Sequence, residues 1–234
     1  MINDKIGEKW KKLYQFKIVK LNSMTYKKGL LHINFVSNKD ITGDFETVII
    51  GYNQVMLLYE EMLKNEPFDD LKIELLGQSG LVLLITTIES YLEQLFYSLC
   101  RSHTVKDVVE SVFKKYLKDF DIKIKYEFEE IETIRLSNYF PEKINFQNKN
   151  LCKNAFSLFG FKIAEIETKL WETIYAGEKC YIQIRHGFIH ADPAYGLYKI
   201  NRINTEYFEE IMFNIARFLC LVDDKILELF NMSW

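Results

Sequence analysis

The sequence predicts a mainly α-helical protein: a bundle of amphipathic helices with a small β-containing segment at its start. Three observations lead there. From residue 46 onward, apolar residues recur at three- and four-residue spacing over most of the chain. Two-residue alternation is confined to short stretches such as "LLHINFV" (30–36). Apolar residues make up 48% of 234 positions, aromatics 15% and charged residues 27%, so a large core forms without help from disulfides or metals.

In chain order, "FKIVKL" (16–21) and "LLHINFV" (30–36) are β-rich, and "SMTYKKG" between them supplies a turn ending in Gly29, so a hairpin is expected in a segment spanning 1–45. A helical domain should then occupy 46–234. Its first helix aligns Val48, Tyr52, Val55, Leu58, Tyr59 and Met62 and must close before Pro67, because a residue preceding proline is driven out of the α region. A longer helix follows from about Asp70 to Arg101, with Leu81, Leu84, Ile85, Ile88, Leu92, Leu95, Phe96 and Leu99 as its stripe. Thr104 should open another, with Asp107 in its first turn and Val108, Val109, Val112, Phe113 and Tyr116 facing inward. "DIKIKYEF" (121–128) alternates strictly and 137–150 reads as loop, together an irregular or β insertion over about 119–150. From Lys162 the register Ile163, Ile166, Leu170, Ile174 predicts a helix running on through Ile182, its end marked by Asp192-Pro193. The last helix, Thr205 to about Phe230, carries Phe208, Ile211, Met212, Ile215, Leu219, Val222, Ile226 and Leu229.

Net charge is −3, so no bulk positive field points to nucleic acid, but the charge is uneven. Residues 1–39 hold nine lysines against Asp4 and Glu8, a local +7 that leaves −10 for the rest. Such a segment, with Lys11, Lys12, Lys27 and Lys28 among its lysines, can track a phosphate backbone or simply coat solvent-facing strands. The four cysteines are far apart with no CxxC pair, which argues against a zinc ribbon and fits a reducing compartment. The N-terminus lacks the apolar core of a signal peptide, and the longest apolar run, "LVLLITTI" (81–88), is too short to span a bilayer, so a cytoplasmic protein without a membrane partner is expected.

One stretch carries chemistry. "YIQIRHGFIHADP" (181–193) gathers Arg185, His186 and His190, from a chain with only five arginines and four histidines. On an ideal helix Arg185 and His190 lie about 140° apart, too far round to serve one small site, unless Gly187 opens the turn, Arg185 reaches across, or two chains pair. His186 and His190, four apart, would share a face as paired zinc ligands do, but "GFI" lacks the glutamate of H-E-x-x-H and only Asp192 or Cys180 offers a third ligand. Neither a metal nor a cofactor is expected. Arg101 and His103 form a second Arg/His spot, where they complement the end of a helix dipole.

"RHGFIH" resembles the R-x4–6-H motif of HEPN domains, including the polar residue just after the arginine. The helix "GLVLLITTIESYLEQLFYSL" resembles the first core helix of that family, with Glu89 as the acidic residue beside its apolar stripe. The element order is similar over about 46–231; residues 1–45 and 119–150 find no counterpart. The resemblance implies a HEPN-like antiparallel bundle, a metal-independent endoribonuclease acting on RNA, and a homodimer that sets two motifs face to face. A toxin–antitoxin or phage-defence role, with an antitoxin or neighbouring-gene partner, follows from the same resemblance. So does the alternative of a non-catalytic RNA- or protein-binding module.

The residue chemistry suits that expectation. Cleavage by a 2′-OH needs a proton removed, a proton returned and charge stabilised on phosphorus. Histidine exchanges protons near neutrality, and arginine keeps its charge and a fork matched to phosphate oxygens. His190 is thus the expected general acid/base and Arg185 the expected phosphate clamp. His186 supports them, and Glu89 would orient a motif side chain through a charge-assisted hydrogen bond or, in the plainer reading, stand exposed and unpaired on its helix.

Overall fold

The computed structural model describes residues 24–27, 30–33, 43–66, 69–119, 136, 144–177, 179–190 and 202–230. Most of these residues are helical. The helices are α1 (Glu46–Asn65), α2 (Asp70–Ser102), α3 (Glu110–Asp119), α4 (Lys149–Ser157), α5 (Thr168–Trp171), α6 (Tyr181–His190) and α7 (Thr205–Phe230). Two short strands, β1 (Met24–Lys27) and β2 (Leu30–Ile33), pair antiparallel with Met24 opposite Ile33 and Lys27 opposite Leu30. β1 occupies residues expected to be the turn; the stretch expected as the first strand, 16–21, and the alternating stretch 121–128 lie outside the described residues.

The chain forms two compact units, residues 1–88 with 169–234, and residues 89–168; the division falls within α2, between Ile88 and Glu89. In the first unit, α1 buries five of its six predicted stripe residues, Val48, Tyr52, Val55, Tyr59 and Met62, while Leu58 is half-buried. It ends where expected: Glu66 is extended, with ψ 130°, because Pro67 follows. Two tyrosines tie α1 to α7. Tyr52 Oη donates to the Met212 carbonyl at 2.7 Å, and Tyr59 Oη donates to the Glu209 carboxylate. The first part of α2 fits closely against the same core. A Cβ on Gly80 would stand 2.2 Å from the Phe208 ring, and one on Gly77 would stand 2.5 Å from the Ile203 side chain. α7 has the bounds its sequence predicts and buries seven of the eight predicted stripe residues; Leu229 is instead exposed. It also buries Phe218 and the carboxylate-bearing Asp223.

The second unit is organised around aromatic rings. Phe96 of α2 lies 5.7 Å from Phe146, 6.2 Å from Phe156 and 6.0 Å from Phe159, and Phe156 meets Phe161 edge-on at 5.6 Å. Helix α4 supplies Phe156, and the sequence-based expectation passed over it. Its N-cap, Asn148, accepts hydrogen bonds from the backbone of Asn150 and Leu151. Gly160, at φ 70°, turns the chain back from that helix towards Phe161. The helix expected from Thr104 starts later. Thr104 donates both its backbone N–H and its hydroxyl to Asp107, at 2.7 Å each, closing the 3-10 turn Val105–Asp107 before α3 begins at Glu110. Phe113 is buried as predicted, but Val109 is exposed.

Among the described residues one helix, α2, is long and apolar enough to cross a membrane; its most apolar window has mean hydropathy 1.5, with 44% of it buried inside the protein. The run 81–88 is short by itself, but helix on both sides extends it. All eight residues of its predicted stripe are buried, so that face belongs to the protein core.

Candidate functional site around the Arg185–His190 helix

The chain approaches the motif through a series of breaks, where one helix was expected. A 3-10 turn at Ile163–Glu165 gives way to α5, then to a π turn at Glu172–Ala176. There Trp171 and Tyr175 stack at 4.2 Å with 14° between their planes, and each ring centroid lies 6.2 Å from that of Phe218 on α7. Gly177 ends the π turn in an extended conformation, ψ 157°, and its N–H donates to the Glu172 carbonyl. Cys180, buried, then offers its carbonyl to Ile184 N–H, the first bond of α6. Apolar positions 163, 170 and 174 are buried as the periodicity predicts and Ile166 is half-buried, but the backbone beneath them changes helix type twice and then stops. The motif therefore lies on a separate ten-residue helix.

On α6, Tyr181, Ile182, Ile184 and Gly187 are buried, Arg185, His186 and Phe188 are half-buried, and Ile189 is exposed. His190 is the last helical residue. The backbone is α-helical straight through Gly187, so the angular separation of about 140° between Arg185 and His190 stands. The helix brings these two residues together in sequence but not onto one face.

The Nε of Arg185 is buried and has no hydrogen-bond partner among the described residues. One turn earlier Tyr181 accepts a 2.8 Å hydrogen bond from Asn214 Nδ2 of α7. Burial pushes the Tyr181 phenol well above its ordinary range; the Asn214 bond acts in the opposite direction, and Tyr207 and Glu210 add to the rise. Tyr181 is thus a neutral phenol that keeps its own proton. Tyr207 is raised too, by burial and then by Glu210. No spacing rule links Tyr181 to Asn214 across 33 residues, so this pair was invisible in the sequence.

Glu89 opens the second unit, half-buried. Its carboxylate accepts a 2.5 Å hydrogen bond from Gln147 Nε2, just ahead of α4, which gives it a partner inside its own unit and removes the reading of an exposed, unpaired helix residue. Arg101 and His103 lie at the C-terminal end of α2. Arg101 donates to Ser98 Oγ at 3.2 Å, and His103 Nδ1 donates to the Leu99 carbonyl at 2.9 Å. Of the lysines expected to meet RNA, Lys27 ends β1, while Lys11, Lys12 and Lys28 lie outside the described residues. Among the described residues no three His, Cys, Asp or Glu side chains come together as a metal-holding set; Asp192 and the His190 side chain fall outside that description.

No family model, curated protein or solved structure matches this chain.

Proposed function

We propose that this chain is a metal-independent endoribonuclease of the HEPN type, its helices forming a HEPN-like bundle with a β-containing N-terminal extension, and α6 carrying its active-site motif. The observation that supports this best is Arg185: a cation whose buried Nε–H meets no acceptor among the described residues, on the helix that ends in His190. An unmet buried donor costs about 1–3 kcal/mol, a cost that an anionic ligand relieves. A phosphodiester fits the planar guanidinium fork.

In the proposed reaction the 2′-oxygen loses its proton to a histidine and forms a bond to phosphorus. The P–O5′ bond then breaks, and the leaving 5′-oxygen takes up a proton. Arg185 holds the phosphoryl oxygens as charge builds on them. His190 exchanges the proton and His186 supports the pair. Because Arg185 and His190 stand about 140° apart around α6, two copies of the chain share the work in a homodimer. Lys11, Lys12, Lys27 and Lys28 track the RNA backbone. The setting is cytoplasmic, and the role is that of a toxin or phage-defence effector held by an antitoxin or a neighbouring-gene partner.

The test is cleavage of RNA by the purified protein in EDTA. The expected products end in 2′,3′-cyclic phosphate or 3′-phosphate and in 5′-OH, and RNA carrying 2′-deoxy at the cleavage position should resist. Strict dependence on a divalent metal would overturn the mechanism and revive a zinc site at His186 and His190. RNA binding with no cleavage would favour a non-catalytic binding module.

A further inference from the structure

If Arg185 is the phosphate clamp, its aim must be held by something, and this inference rests on that role. Among the described residues no hydrogen bond anchors the guanidinium through Nε. Its direction is therefore set largely by the pose of α6, a helix of ten residues cut off from the preceding π turn at Gly177–Cys180. A short helix with a break at its entrance can rotate about its axis unless a directional contact stops it. Apolar packing by Ile182 and Ile184 is non-directional and tolerates small rotations.

The directional contact lies one turn before Arg185. Tyr181 is 2% exposed, and its hydroxyl accepts the Asn214 amide at 2.8 Å. Residues four apart lie on one face of a helix, so the face fastened by Tyr181 is the face that carries Arg185. A hydrogen bond weakens steeply once its angle is lost, whereas slipping by one residue would turn that face by about 100°. The partner element is a firm one: α7 runs 26 residues and is held to α1 through Met212 and Glu209.

We propose that Asn214 is a positioning residue of the site: through Tyr181 it sets the rotation of α6 and so the aim of the Arg185 guanidinium. Neither Asn214 nor Tyr181 touches the RNA.

The experiment uses the full chain with Tyr181→Phe, Asn214→Leu and the double substitution. Single-turnover cleavage and RNA affinity are measured beside the ¹H–¹⁵N signal of Arg185 Nε–H, assigned by its loss in Arg185→Lys. Each single change should slow cleavage about 10- to 100-fold, as misplacement of a catalytic group does, with affinity kept within about twofold. The double should be no slower than the worse single, because both remove one bond. The Nε–H signal should shift or broaden in all three. An unchanged Nε–H signal in folded Tyr181→Phe, or losses that add in the double, would overturn the positioning role. Tyr181→Phe keeps the buried ring, so it carries the test if Asn214→Leu does not fold. If the unaltered chain cleaves no RNA, the ribonuclease reading fails, and the Nε–H signal alone still decides whether the link governs Arg185.

Discussion

Arg185 and His190 carry different burdens in the proposed chemistry, and their substitutions should separate. His190→Ala removes proton transfer, so cleavage should fall about 10²–10⁴-fold while RNA affinity stays nearly intact. Arg185→Ala should lower rate and affinity together, and Arg185→Lys should rescue poorly because the planar fork is lost. Full activity in both alanine variants, measured by product ends and filter binding, would make the motif structural. A second prediction concerns pH. Asp107 is held below the usual carboxylate range, first by the Thr104 backbone N–H and then by its hydroxyl. A carboxyl depressed by folding stabilises above its unfolded value near about 3.9 and loses that contribution as pH falls through the folded value. Asp107→Asn should therefore cost stability at neutral pH, and the gap to the unaltered chain in urea melts should narrow at pH 3. The residue types of the candidate site were legible in "RHGFIH". Which of them lacks a partner was not, since a buried orphan nitrogen depends on everything packed around it.

Helix boundaries with local causes were also legible. Pro67 ends α1, and Thr205 begins α7 at the predicted residue. Asn148 was a local signal too, a capping side chain just ahead of α4, with Cys152, Ala155 and Phe156 at helical spacing behind it. Asn148→Ala should cost about 1 kcal/mol, read from a denaturant midpoint. The breaks before α6, by contrast, were hidden. Ile163, Leu170 and Ile174 keep a helical spacing while the backbone passes through 3-10, α and π geometry, so side-chain register survives where helix type does not. Gly80 shows packing overruling propensity. Alanine gains about 1 kcal/mol over glycine in a helix, yet its Cβ would sit 2.2 Å from the fully buried Phe208 ring. Overpacking costs about 1–3 kcal/mol, so Gly80→Ala should lower the melting temperature rather than raise it.

Across the whole molecule, one chain supplies one Arg185 and one His190, on different faces of one helix. A two-fold pair would let Arg185 of one copy face His190 of the other, since such an axis brings the same patch of both copies together. Mixing inactive His190→Ala with inactive Arg185→Ala should then restore part of the activity through hybrid sites. A monomer retaining full activity at nanomolar concentration, by light scattering, would exclude this. The sequence by itself determined the helical class, the long stripes of α1, α2 and α7, and the gathering of Arg185, His186 and His190 in one decade of residues, because periodicity, caps and proline act over a few positions. Only the tertiary structure decided that the motif helix stands alone, that Tyr181 meets Asn214, that Glu89 meets Gln147, and that Arg185 Nε is buried without an acceptor among the described residues. Those depend on contacts between segments up to 58 residues apart, whose pairing no local period encodes.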